Sequence, residues 1–325
     1  LGNRSLPRRH PELCQLSNDQ YLMDPGVPAT GDYIASICQE IAQNYDVDGI
    51  HLDYIRYPEN GIRFSDAQTY KRYGQGQPIN RWRTENVTRV VRKIRRAVDS
   101  VRPGIVLSCS PVGKYADMAR QSSRGWNARD AVHQDAVAWL NEGTMDVLFP
   151  MMYFDGDNFY PFVIDWKERA QRGAIVPGLG LYCLSANEKD WPLVALQRQI
   201  NFLRTQHLNG FCLFRSKFLT DNVKGVFDWL SHSYDNNPLQ AMGGIFETLR
   251  QQKKSTAVSP SADSQKVPQL NVDAETFVVV DNTGREIRRF RPDSTFNTAD
   301  LPHGFYQLRA LGRKKANHKI MDFRK

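Results

Sequence analysis

The stretch Asp46–Glu59, DVDGIHLDYIRYPE, decides how the rest of the chain is read. Val47, Ile50 and Leu52 are apolar, as a buried strand requires, yet Asp48, His51, Asp53 and an abrupt Tyr-Ile-Arg-Tyr-Pro end interrupt the pattern. Side chains alternate along a strand, so Gly49, His51 and Asp53 share one face, and Ile50 and Leu52 share the other. In a parallel barrel the first set faces the axis and the second packs on helices, which places Asp53 at the C-terminal rim, where such folds do chemistry.

Strand-like and helical patterns alternate on both sides of this stretch. ATGDYIASICQEIAQNYDV precedes it, with Ile34, Ile37, Ile41 and Tyr45 at helical spacing and Thr30 as the expected N-cap. Strands are predicted over 48–54, 105–110, 146–153, 175–182 and 210–215, with helices over 83–101, 130–142, 163–172 and 195–206. Near-continuous apolar runs such as GIVLSCS and DVLFPMMY suit a parallel sheet covered on both faces. The class is α/β.

Loops after the strands are long and rich in Tyr, Trp, Asp and Arg, whereas those after the helices are short, and this asymmetry favours a (β/α)8 barrel over a doubly wound sheet. No GxGxxG or GxxxxGK loop argues for a nucleotide, and no cofactor is expected. Five strand units are countable where a barrel needs eight. The chain is therefore expected to lack the first three βα units, and its start at Leu1 fits a processed or truncated product.

The 325 residues are 41% hydrophobic, enough for a sizeable core, and contain no apolar run of transmembrane length and no opening signal segment. The net charge of +8 is scattered over helical stretches such as RKIRRAVDSVRP, which reads as a solvated face rather than a nucleic-acid patch. Five cysteines show no ligand spacing, so neither a metal nor a disulfide framework is expected. QQKKSTAVSPSADSQKVPQ, 251–269, reads as a linker. Beyond it TFVVVDNTGREIRRF forms a period-two hairpin turning at Asp281–Gly284. The expected division is a partial barrel over 1–240, a linker over 241–270 and a small β-sandwich over 271–325.

Asp53 leads the residues that could carry chemistry, with ion pairing to Arg56 as its structural alternative. Asp48, at the opposite end of the strand, reads as structural, and His51, one layer below the rim, reads as a core histidine. A glycosidic bond is cleaved by two carboxyl groups, or by one acid aided by the substrate. Asp155 and Glu59 are the candidates for the second carboxyl, each with a loop role as its alternative. Tyr54, Tyr57, Trp82, Trp126, Tyr153, Tyr160 and Tyr182 crowd the same loops, where aromatic rings suit the C–H faces of sugars. Arg56 and Arg215 are placed to orient an acid or bind a substrate group.

LMDPG (22–26), YDVDGIHLDYIRYP (45–58), WRTENV (82–87), SCSPVG (108–113), QDAVAWLNEGTMDVLFPMMYF (134–154), PGLGLY (177–182) and GFCLFR (210–215) together resemble the glycosyl-hydrolase-like family 10 proteins. The resemblance implies a TIM-barrel glycosidase, extracytoplasmic in bacteria, acting on polysaccharide or peptidoglycan glycan strands. A fainter likeness to chitinases fails where their acid glutamate would stand, because this chain has Ile55 there. The last fifty or so residues, with D-x-x-G-R followed by L-P-x-G-x-Y, resemble a Bacteroidetes secretion-tail β-sandwich. The expected partner is a glycan, not nucleic acid; a non-catalytic carbohydrate-binding barrel is the rival reading.

Overall fold

The computed structural model describes residues 2–58, 64–233, 276–281, 285–291, 305–311 and 318–324. The chain divides into two compact units, Leu1–Ala257 and Val258–Lys325.

The first unit opens with a short helix, α1 (Leu6–Arg9), and a hairpin of β1 (Cys14–Ser17) and β2 (Gln20–Met23). Asn18 and Asp19 turn the hairpin at φ 45° and 59°, the left-handed pair that a two-residue turn with matching strand twist requires. Helix α2 (Pro28–Asn44) follows. It starts at Pro28, whose fixed φ and missing N–H suit a first helical position, so Thr30 lies buried inside the helix and does not cap it.

Then come β3 (Gly49–Leu52), α3 (Ala67–Tyr73), α4 (Ile79–Val101), β4 (Val106–Cys109), α5 (Ala128–Ala131), α6 (Ala136–Asn141), β5 (Val147–Leu148) and α7 (Tyr160–Arg169). The unit continues with β6 (Ala174–Ile175), β7 (Gly178–Gly180), α8 (Leu193–Thr205), β8 (Cys212–Phe214), α9 (Ser216–Thr220) and α10 (Val226–Ser233). The single helix expected over 130–142 is two short ones. His133, in the left-handed conformation at φ 60°, separates them.

Strands β3, β4, β5 and β6 form a parallel sheet in that order, and β7 and β8 form a parallel pair. Isolated bridges Val112↔Met151 and Met151↔Gly178 join the two sets. Pro150 and Pro177 lack the N–H that a ladder needs, which is why the runs expected as single strands over 146–153 and 175–182 appear as short segments. Their carbonyls still accept from Gly178 and Cys212, at 2.8 and 2.9 Å, so pairing resumes beyond each proline. The result is five parallel runs in chain order with no reversal, unlike a doubly wound sheet, where the order reverses at a switch point.

The helix-facing residues Ile50, Leu52, Leu107, Cys109 and Leu148 are buried against a helical layer. Helix α4 contributes Val87, Val90, Val91, Ile94 and Val98, one stripe at i, i+3, i+4, i+7 spacing. At the far end of the sheet from the candidate rim, buried Arg95 of α4 donates to Asp146 Oδ2 at 3.0 Å, and the same oxygen accepts from Leu107 N–H at 2.8 Å. Each partner compensates the other's burial, and together they fix α4 against the start of β5.

In the second unit, β9 (Thr276–Asp281), β10 (Glu286–Phe290), β11 (Phe305–Leu311) and β12 (His318–Arg324) form one antiparallel sheet in the order β10-β9-β11-β12. The expected hairpin is present as the β9–β10 pair, and its turn at 282–284 lies outside the described residues. Where a sandwich is expected, the described residues supply one layer.

Candidate active site

Parallel register carries chemistry-bearing residues onto one face. His51 pairs with Ser108, Ser108 with Val147, and Val147 with Ala174. One turn of the pleat further toward the strand ends stand Asp53, Ser110 and Phe149, and beyond them the row Val112, Met151, Gly178 and Cys212. Gly180 pairs with Phe214 near the end of that face. Gly113 allows the close approach this needs, since a Cβ there would lie 2.4 Å from the Met151 carbonyl oxygen.

Asp53 is exposed at the end of β3, as the alternation of that strand requires. Its Oδ1 accepts from the N–H of Tyr54 at 2.9 Å. Tyr54 adopts φ 51°, a conformation rare for a bulky residue, and turns the chain so that its ring is exposed beneath the Arg56 guanidinium, 4.6 Å away. A cavity of about 380 Å³ opens beside this turn, between Tyr21–Met23 of the hairpin and Asp53–Pro58, with Ile34 and Val90 among its walls.

Beyond β5, Tyr153 stacks on Phe214 with centroids 5.2 Å apart, and Tyr182 meets both rings edge-on at 5.7 and 6.2 Å. Burial pushes the Tyr153 phenol well up, and ionisation would be opposed further by Cys212, Tyr182 and Asp53. Asp53 and this aromatic group therefore share one electrostatic neighbourhood. Burial likewise lifts the Tyr182 phenol, to about 12. Lys189 donates to the Tyr153 carbonyl at 2.9 Å and lies over the Tyr182 and Trp191 rings, fixing the group from the β7 side. Phe214, 45% exposed, is the open face of the cluster. Sequence reading passes over it because a Phe in an apolar strand looks like core; only the pairing with Gly180 shows that it faces inward.

Other candidates have different surroundings. Trp82 is 3% exposed, packed edge-on against Tyr70 and over Gly26, where a Cβ would lie 2.7 Å from its ring. Tyr57 is equally buried, between Phe64 and His133, its hydroxyl accepting from Asn86 at 3.1 Å. Both are core residues, which corrects their reading as sugar platforms: aromatic content in a rim segment serves packing as readily as stacking.

Asp155 caps the turn that follows it, accepting from Gly156 N–H at 2.8 Å, and its charge acts on Tyr160 at the start of α7. Trp126 is 37% exposed on the loop after β4, and Arg215 lies over Phe218 at 5.6 Å. Glu59 falls outside the described residues. Asp24 of the LMDPG motif is buried and accepts from Gly26 N–H, Thr69 and Gln15, a loop-organising role.

Two further ties join the rim loops. Buried Gln134 accepts from Val112 N–H at 3.1 Å and donates to the Ile55 carbonyl at 3.3 Å, and Lys114 donates to Ser123 and to Asn158 Oδ1. Desolvation lowers the pKa of the Lys114 ammonium, whose charge rests over the Phe154 and Phe162 rings. Among the described residues no helix is long and apolar enough to cross a membrane.

Residues 6–179 match the model of the family described as glycosyl hydrolase-like 10. The chain is 27% identical over 231 residues to glycosyl hydrolase DigH of Escherichia coli (strain K12), covering 65% of this chain and 53% of that protein. It is 26% identical over 277 residues to glycosyl hydrolase YngK of Bacillus subtilis (strain 168), covering 78% of this chain and 53% of that one. It thus spans about half the length of these curated relatives. A looser likeness links it to the PgaB (BpsB) glycoside hydrolase domain from Bordetella bronchiseptica, with a TM-score of 0.43 and 14% identity over 61% of this chain and 60% of that one, too loose to carry an argument. The family match takes in the strand that ends at Asp53 and the rim segments of β4 and β5, and extends over more than half the chain: the chain belongs to the glycosyl hydrolase-like 10 family.

Proposed function

We propose that this chain is part of a glycoside hydrolase that cleaves a polysaccharide or peptidoglycan glycan strand, with Asp53 as the leading acid or nucleophile. The observation that carries the reading is the position of Asp53: exposed at the end of β3, on the sheet face that the strand register shares with the Tyr153–Tyr182–Phe214 cluster. A carboxyl group and an aromatic platform on one face suit a glycan: the acid serves protonation or displacement at the glycosidic bond, and the rings stack on the sugar. Asp155 and Glu59 are the proposed sources of the second carboxyl. Arg56, Arg215, Tyr54 and Trp126 are proposed to bind or orient the glycan from the surrounding loops.

Strand order without reversal supports a (β/α)8 barrel in which these five runs are an arc and three further βα units close the ring. An extracytoplasmic site of action belongs to the same reading, on the resemblance of the chain to an extracytoplasmic family and of the last domain to a secretion tail. The division into a barrel portion over 1–240, a linker over 241–270 and a sorting or accessory β domain over 271–325 belongs to the same reading, as does the likeness of that last domain to a secretion tail.

The test is Asp53→Asn in the full-length protein, assayed for release of reducing ends from purified glycan strands, with circular dichroism to check the fold. Turnover should fall by at least a thousandfold with the fold intact. Unchanged turnover removes Asp53 from the chemistry. Glycan binding by the unmutated protein with no reducing ends released establishes the carbohydrate-binding alternative.

A further inference from the structure

The inner face also holds a hydrogen-bonded chain that the glycosidase reading does not use. His51 Nδ1 lies 2.9 Å from Ser108 Oγ, and its Nε2 lies 2.5 Å from Ser110 Oγ. Phe149 closes one side of the imidazole, edge-on at 5.4 Å. Ser108 is buried, whereas Ser110 is half-buried and stands one pleat nearer the rim, level with Asp53 on the neighbouring strand. His51 itself is exposed, which corrects its reading as a core histidine, because the inner face of β3 is uncovered; partial desolvation by its neighbours still favours the neutral imidazole, opposed by the charge of Asp53.

A neutral imidazole carries one N–H, so the three groups share a fixed set of protons and the chain has two arrangements. In one, Nδ1–H donates to Ser108 and Ser110 donates to Nε2, which leaves Ser110 an acceptor toward the rim. In the other, Ser108 donates to Nδ1, Nε2–H donates to Ser110, and the hydroxyl proton of Ser110 points outward. Ser108 decides between them. Among the described residues its hydroxyl has no side-chain partner other than His51. In the first arrangement its O–H would have no acceptor among the described residues, a loss that the second avoids by letting Ser108 donate to Nδ1.

We propose that Ser110 is a glycan-binding residue whose hydroxyl donates to an acceptor oxygen of the sugar beside Asp53, and that the Ser108–His51 pair fixes it in that donor role. This rests on the glycan reading of the site. Ser110 would then discriminate among sugars by the presence of an oxygen acceptor, such as an acetamido carbonyl or a ring oxygen, at that position.

Two measurements test it on the protein as it exists. Long-range proton–nitrogen correlation of histidine-labelled protein should show His51 as the Nε2–H tautomer, and Ser108→Ala should shift it toward Nδ1–H. An Nδ1–H tautomer in the unmutated protein overturns the donor assignment. In titrations with chitotetraose, Ser110→Ala should weaken binding about three- to tenfold, while Ser110→Thr, which keeps the hydroxyl, should stay within twofold of the unmutated protein. Equal binding by Ser110→Ala and the unmutated protein refutes the role of Ser110 alone. No binding of either chitotetraose or purified glycan strands by the unmutated protein refutes the glycan reading, and the inference falls with it.

Discussion

His133 shows how a single residue supports this site from outside it. It is buried behind Tyr57, and burial together with the positive charge of Arg83 pushes its pKa down to about 4. A histidine whose folded pKa lies below its unfolded value of about 6.5 takes up fewer protons in the folded state. Its contribution to stability is full above pH 6.5 and is lost as pH falls from there toward 4, a loss on the order of 2 kcal/mol. Urea unfolding at pH 7 and pH 4.5 should show that loss. His133→Asn, which tolerates the left-handed backbone, should flatten the pH dependence by a similar amount. Asp53 and the alternation that aims it were legible in DVDGIHLDYIRYPE because period two is a backbone property. The tyrosine turn behind it was not, since nothing in Asp-Tyr-Ile-Arg announces a left-handed tyrosine.

At the scale of elements, periodicity predicted helices and strands well where a stripe or run was long, as in α4, and poorly where proline or a two-residue turn sets the limits. Pro150 and Pro177 divide apolar runs that read as continuous, and the β1–β2 hairpin is too short to show a period. The same limit explains Trp82. The composition of a segment does not say which side of a helix meets the core, and α4 turns this tryptophan inward over Gly26. Trp82→Ala should therefore cost about 3–5 kcal/mol of stability, as a large core truncation does. Denaturant unfolding would measure it, and an effect confined to glycan affinity with stability unchanged would return Trp82 to the binding surface. Phe214→Ala should do the reverse, lowering glycan affinity several-fold with a stability change below about 1.5 kcal/mol.

For the whole molecule, the two compact units and the polar stretch near their boundary lead to a proteolysis prediction. Brief trypsin treatment should cut first at Lys253, Lys254 or Lys266, giving two fragments that mass spectrometry can assign. A first cut within α4 or α8 would contradict the proposed linker. The α/β class with parallel strands was legible from the rhythm of strands, helices and long rim loops; the mutual support of those loops was not, because it depends on tertiary contacts between distant segments. Gln134 is the clearest case, since one amide holds the backbones of the β3 and β4 loops at once. Loop grafting to change specificity would have to move these two segments as a matched pair, together with the glutamine that reads them both. A transplant of either alone would leave a buried amide half satisfied and carry its misfit into the neighbouring loop.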